Sequence, residues 1–315
     1  MLPCRPDFFI VGAPRCGTTA LFTYLRQHPE IFMPEIKEPN FFCSDLNVRP
    51  HVVDAAEYAS LFSSASGEKR VGEASVWYLY SERASNAIKS LNPEALIIIM
   101  LRQPVDMLHS LYSRRVHGGL ETARTFQSAI EERATPRRNR LSKLFFSEPP
   151  AVEPISLEIG RYSTHVARYI DTFGRDQVKI IIYDDFRLDS ESVYRDVLDF
   201  LDVRPDFAPS FKVVNSNAHV RNAVLHRIVR RPSPILRAIA RLLVPRRLRP
   251  RVAETILDVN SRRAPRTALP VDLRRRLTAE LAPDIVELGR LLGRDLSHWL
   301  VTEEVGPERA CPRAS

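Results

Sequence analysis

Cysteine is scarce in this chain. There are four in 315 residues (Cys4, Cys16, Cys43 and Cys311), scattered, with no CxxC pair. That pattern argues against a disulfide framework or a zinc site, and a reducing, cytoplasmic setting is expected. Long apolar runs are also missing. No stretch reaches about 18 apolar residues, so no membrane-spanning helix is expected. The apolar stretch in MLPCRPDFFIVGAPRCG is short and broken by Gly12 and Pro14, a poor secretory signal. No internal repeat is visible. Acid is missing locally: residues 221–251 hold ten arginines and no Asp or Glu. The whole chain carries a net charge of +8 and a pI of about 9.5. Such a balance favours anionic partners, whether nucleotides, acidic glycans, lipid headgroups or nucleic acid, and does not choose among them.

The remaining composition is ordinary for a globular protein, with 44% hydrophobic and 27% charged residues. Residues 8–11 (FFIV) form a short continuous apolar run ending in Gly12, which reads as a buried parallel strand entering a loop. From Thr18 the spacing of Leu21, Phe22 and Leu25 becomes helical, and Pro29 ends that helix after His28. Two further apolar runs, 95–101 (ALIIIML) and 178–183 (VKIIIY), read as strands, with a shorter one at 70–73 (RVGE). Helices are expected at 106–117, 164–173, 191–202 and 272–294. Strands alternating with helices predict an α/β, P-loop-like three-layer fold with a central parallel sheet. A single domain over 1–315 is expected, with an α/β nucleotide-binding core at 7–205 and a helical C-terminal part at 206–302. The polar, Pro-rich stretch 134–155 reads as a surface insertion.

The first loop, Gly12-Ala13-Pro14-Arg15-Cys16-Gly17-Thr18-Thr19, has the G-x-x-x-x-G spacing of a P-loop. Thr18 stands where a Walker A loop has its lysine, the residue that reaches the outer phosphates of a triphosphate. Main-chain N–H groups of the loop and of the helix start can still hold a phosphate, and the Thr18 and Thr19 hydroxyls add donors. The loop's cation is Arg15. A plain Gly-rich turn has the same spacing. The strand at 95–101 delivers Arg102 to its C-terminal end, where ligands bind in open α/β sheets. Ser110, eight residues on, lies just over two helical turns away. Together they form a candidate second anion site, though by itself Arg102 also reads as a salt-bridged surface residue.

Taken together these segments resemble the PAPS-dependent sulfotransferases, both the soluble bacterial members and the sulfotransferase domains of the heparan sulfate enzymes. The resemblance runs through PRCGTTAL, PEIKEPNFF, VGEASVWYL, LRQPVDMLHSLY, GRYSTHVARYIDTFGRDQVKIIIYDDF and GRLLGRDLSHWL. It covers most of 7–205 and the last helix. It implies PAPS as co-substrate and PAP as product; the low charge of a sulfuryl group, the absent Walker lysine and the lack of an obvious Asp-based Mg²⁺ site predict no metal. It implies a 5′-phosphosulfate loop of Arg15, Cys16, Gly17, Thr18, Thr19 and Ala20, and a 3′-phosphate site of Arg102 and Ser110. Glu38, in KEPNFF, falls where the heparan-type enzymes carry their catalytic base; Lys37 would position the acceptor or tune Glu38. By spacing alone, Glu38 also reads as a loop cap or as a partner of Lys37. Glu73 (an acceptor contact or alternative base), His109 and His117 are the other candidates for proton transfer. Two departures from the family pattern stand out. Ala74 sits where several relatives have a lysine, and Val76 replaces a frequent proline. No G-x-x-G-x-x-[RK] motif follows late in the chain, which leaves Arg221 and Arg266 as candidates to close over the nucleotide.

The implied function is transfer of a sulfuryl group to a hydroxyl or amine of a small-molecule, carbohydrate or lipid acceptor. The rival readings are a P-loop small-molecule kinase using ATP–Mg²⁺, which would need a lysine at position 18, and a non-catalytic nucleotide-binding protein. The arginine-rich segment 221–251, with Ile228, Val229, Ile235, Leu236, Ile239, Leu242 and Leu243 interleaved, admits three readings: solvated amphipathic helices, a lid over substrate or nucleotide, or attachment to an anionic membrane. Its lack of interleaved aromatics argues against nucleic acid.

Overall fold

The computed structural model describes residues 5–48, 52–117, 121, 123, 125–131, 155–211, 218–220, 261–263 and 269–302. Its centre is a five-stranded sheet ordered β2-β3-β1-β4-β5, with every pair parallel. The strands are β1 (Phe8–Gly12), β2 (Ile31–Phe32), β3 (Arg70–Ala74), β4 (Leu96–Leu101) and β5 (Val178–Ile182). Every residue of β1 is buried, as are all of β4 after Leu96. Strands covered on both faces need apolar side chains on both faces, which is why FFIV and IIIML are continuous rather than alternating.

Around the sheet stand α1 (Thr18–Leu25), α2 (Ala55–Ser60), α3 (Ala84–Leu91), α4 (Pro104–His117), α5 (Phe126–Glu131), α6 (Ser163–Phe173), α7 (Tyr183–Leu188), α8 (Ser190–Phe200) and α9 (Val271–Leu292). Among the described residues no helix is long and apolar enough to cross a membrane. Because the strands are parallel, the C-terminal ends of β3, β1 and β4 open on one edge of the sheet. That edge collects the loops that follow Ala74, Gly12 and Leu101.

Several boundaries differ from the sequence expectation. The first helix stops at Leu25 rather than His28: the amides of Gln27 and His28 turn back to the carbonyls of Tyr24 and Leu25 in a tightened last turn. The helix expected from 106 begins at Pro104, which fits the first helical position because it lacks an N–H; the Gln103 side chain accepts from the Asp106 N–H at 2.8 Å. Tyr183 opens α7 instead of closing β5, with Asp184 and Asp185 in the first turn of the helix. The wholly helical C-terminal part needs correction, since β6 (Ala218–Val220) and β7 (Ser261–Arg263) pair antiparallel. Pairing between segments far apart in the chain leaves no mark in local periodicity.

Candidate active site

β1 carries the first loop to the open edge, where the Ala13 N–H donates to the Met100 carbonyl at 2.7 Å and ties the loop to β4. Two glycines permit the path. A Cβ on Gly12 would stand 2.6 Å from Leu79 Cβ and 3.0 Å from the Val76 carbonyl oxygen. Gly17 has φ 92°, the left-handed region, and a Cβ there would press on Met100, Tyr183 and Phe186 at 3.2 Å each. Gly17 is also the N-cap of α1. No side chain caps this helix and its first turn holds no acid, so the amides and the positive end of its dipole remain available to an anion. Thr18 is buried beneath the loop, while Thr19 and Ala20 are half-exposed.

Arg15 also adopts a left-handed backbone, with φ 64°, and its Nε donates to Ser110 Oγ at 3.0 Å. That bond joins the loop to α4. The Arg102 guanidinium lies over the Tyr183 ring, 4.7 Å from its centroid. Both arginines act on the Cys16 thiol, which burial pushes up to about 12 while Arg102 and, more weakly, Arg15 pull it down. The two cations, 87 positions apart in sequence, therefore converge on the same edge of the sheet. Cys16 itself is wholly buried and offers a ligand only its main chain.

The segment holding Lys37 and Glu38 runs along the end of β3. The Glu38 N–H donates to the Ala74 carbonyl at 2.8 Å, and the Asn40 N–H to Ser75 Oγ at 3.0 Å. Glu38 has φ 64°, and its Oε1 accepts from Lys37 Nζ at 2.8 Å. The ion pair that spacing alone suggested is therefore formed, and Glu38 keeps 36% of its side chain exposed. Glu73 departs from expectation. Proposed from sequence as an acceptor contact or alternative base, it is 0% exposed beneath Tyr58 and Tyr78, whose hydroxyls donate to its Oε2 at 2.7 and 3.1 Å. The apolar packing around the end of β3 leaves it no surface to meet an acceptor. Burial raises its carboxyl to about 7, against the pull of the Ser75, Tyr58 and Tyr78 hydroxyls and the Lys37 charge.

His109 packs its ring on Phe126 at 5.1 Å. His117 closes α4, and its side chain is outside the described set. Arg221, Arg266, the whole of 221–251 and all but Ile155 of 134–155 also lie outside the described residues. Sequence reasoning missed Tyr183, which meets both Arg102 and the space beside Gly17; the Asp184-Asp185 pair behind it was the available signal for a helix start there. Among the described residues no group of three or more His, Cys, Asp or Glu could hold a metal ion.

With this geometry in place, comparison with known proteins is decisive at the family level. A family model for the sulfotransferase domain matches residues 5–227. The chain belongs to the sulfotransferase family. The crystal structure of a sulfotransferase from Alicyclobacillus acidocaldarius aligns with a TM-score of 0.67 at 31% identity, covering 94% of this chain and 99% of that one. Carbohydrate sulfotransferase 15 of Mus musculus is 25% identical over 260 residues, 65% of this chain and 45% of that protein. The bifunctional heparan sulfate N-deacetylase/N-sulfotransferase 4 of Mus musculus is 29% identical over 214 residues, 64% of this chain and 23% of that protein. This sulfotransferase chain thus spans less than half the length of those two curated relatives. The matched span 5–227 takes in the Arg15 loop, Glu38, β3, Arg102 and Ser110.

Proposed function

We propose that the protein transfers a sulfuryl group from PAPS to a hydroxyl or amine of a carbohydrate acceptor, releasing PAP, with Glu38 as the base. The observation that carries this reading is the bond from Arg15 Nε to Ser110 Oγ, which makes one continuous anion-binding edge out of the loop and the helix after β4. The residues present suit an adenosine bisphosphate. An uncapped helix N-terminus free of acid, a glycine in the left-handed region at its cap, and two guanidiniums all meet there. The printed names of the curated relatives, a carbohydrate sulfotransferase and a heparan sulfate N-sulfotransferase, support the acceptor class.

Bound there, PAPS supplies the sulfuryl group that is transferred. The amides at the start of α1, with the Thr18 and Thr19 hydroxyls, hold the 5′-phosphate. Arg102 and Ser110 hold the 3′-phosphate. Arg15, already bonded to Ser110, would neutralise charge as it develops on the departing phosphate oxygen, the kind of contribution that is usually the largest single one in such sites. Glu38 takes the proton of the attacking hydroxyl or amine, and Lys37 holds Glu38 in place. A sulfuryl group carries less negative charge than a phosphoryl group, and the reading calls for no metal.

Thermal unfolding tests it. PAP should raise the melting temperature and ATP–Mg²⁺ should not; the opposite pattern would reject the assignment. Glu38→Gln should keep the PAP shift yet lose about 10²–10⁴-fold in transfer of labelled sulfate from PAPS to a panel of unsulfated polysaccharides, the usual range for a general base.

A further inference from the structure

Glu73 has no part in the transfer described above, yet its burial requires explanation. A carboxylate removed from water is costly unless it is fully hydrogen-bonded or paired. Tyr58, from α2, and Tyr78, from the turn after β3, both donate to Oε2, and the nearby Ser75 hydroxyl also favours the charged form, while Oε1 is equally buried and meets no donor at hydrogen-bond geometry. The neighbouring Ala74 brings no cation. The cation whose field reaches this carboxylate is Lys37, and its Nζ sits 2.8 Å from Glu38 Oε1. The hydrogen bonds from Glu38 to Ala74 and from Asn40 to Ser75 stitch the Lys37 segment along the end of β3. The Lys37–Glu38 pair thus runs beside the end of β3 that carries Glu73, close enough for the Lys37 charge to act on that carboxyl.

The Lys37–Glu38 ion pair poses a problem for a base. Once Glu38 takes a proton it no longer balances the ammonium, and Lys37 is only 15% exposed. A largely buried cation that loses its partner is strongly unfavourable. We propose that Glu73 is a positioning residue for the transfer: its Oε1 is a second seat for the Lys37 ammonium, occupied when Glu38 has accepted the acceptor's proton. This rests on Glu38 being the base. The acceptor's O–H or N–H bond breaks, its proton goes to a Glu38 oxygen, and its electron pair forms the new bond to sulfur. The ammonium keeps its protons and exchanges one carboxylate oxygen for another.

The seat works only while Glu73 is ionised. Burial raises its carboxyl to about 7, so the seat is available above that pH and lost below it. The groups that act on Glu73 are Ser75, Tyr58, Tyr78 and Lys37, and its charge is felt in turn by Cys43 and by Tyr169 of α6.

Glu38→Gln is a neutral stand-in for the protonated base and permits a test without turnover. The Glu73 carboxyl is titrated by NMR in protein labelled at the glutamate carboxyl carbon, its signal assigned by its loss in Glu73→Gln or, if that variant does not fold, in Glu73→Asp. Glu38→Gln should lower the Glu73 midpoint by about one pH unit or more, the scale of a new ion pair. In a Lys37→Met background the same change should produce a much smaller drop, because there it removes only a neighbouring like charge. Equal drops in the two backgrounds, or none, would overturn the proposal. A kinetic arm uses PAPS with water as acceptor. Glu73→Gln should lower kcat at pH 8 and abolish the acid-side fall near pH 7, with KM for PAPS changed by less than about twofold, since an interaction made only as the proton moves affects kcat. Unchanged kcat and an unchanged profile would also overturn it. If Glu38→Gln keeps full turnover, the base assignment falls whatever the titrations show. If Glu38→Gln is inactive and the drops are equal, only the second seat falls.

Discussion

Arg15 and Glu38 share an unusual backbone. Both have φ 64°, while among the described residues the other non-glycine residues in that region are Asn40 and Asp202, types that tolerate it. A long side chain held left-handed costs roughly 1–2 kcal/mol, and such strain persists where surrounding structure fixes it, often at functional sites. Gly17 and the Ala13–Met100 bond brace Arg15; the bond to Ala74 braces Glu38. Arg15→Gly and Arg15→Ala should therefore separate strain from binding. Both lose the guanidinium, and PAP affinity measured by calorimetry should fall in both to the same extent. Chemical denaturation should find the glycine variant more stable than the alanine variant by about 1 kcal/mol, because only glycine is at ease with positive φ. Equal stabilities would show that the loop relaxes once the arginine is gone. No feature of the sequence announced the backbone at Glu38, since KEPNFF has no glycine at that point.

At the scale of elements, β1 and β4 were readable because strands buried on both faces are written as uninterrupted apolar runs, and β5, at the edge of the sheet, because its apolar run is broken only by Lys179. β2, α2, α3 and α5 were not. α3 shows helical burial at only Ala84, Ser85 and Ile88, and its clearest start signal is Ser81, whose hydroxyl accepts from the Arg83 and Ala84 N–H groups. α9 was legible as a helix, ended by Gly293 at φ 63°, but its long-range task was not. Asp284 on α9 is 8% exposed and accepts from the Tyr162 N–H at 2.7 Å, the Ser163 N–H at 3.3 Å and the Ser163 hydroxyl. It thereby caps α6 from 121 residues away, a partner no local capping rule could find. Tyr162 in turn faces Cys16 under the phosphate loop, so α9 braces the site through α6. Asp284→Ala leaves buried N–H groups unpaired and should cost about 2–3 kcal/mol in denaturant unfolding. Asp284→Asn, which keeps one acceptor, should cost less. A loss below about 0.5 kcal/mol for the alanine variant would mean that α6 starts elsewhere when uncapped.

The whole molecule divides its charge unevenly. The ten arginines of 221–251 exceed the chain's entire net charge of +8, so the remainder is slightly acidic. In the proposed nucleotide site an anion would meet a few fixed groups at short range, Arg15 and Arg102 among them. The segment adds charge of another kind, many cations without acid between them. Partly buried pairs are screened little by salt, whereas attraction to a polyanion through many exposed cations is screened strongly. The two modes should therefore separate in one salt series. Raising the ionic strength from about 0.05 to about 0.5 M should weaken PAP binding modestly and remove most binding to an anionic polysaccharide such as heparin, as the screening length contracts from more than 10 Å to a few Å. Replacing Arg230, Arg231, Arg246 and Arg247 by glutamine should weaken heparin binding at low salt and flatten its salt dependence while leaving PAP affinity where it was. Vesicles with and without anionic lipid, run beside the heparin series, distinguish a polysaccharide surface from a membrane one. If the fourfold variant binds heparin as tightly as the parent, with the same salt slope, the polyanion is held by other residues, and these arginines have no part in holding it.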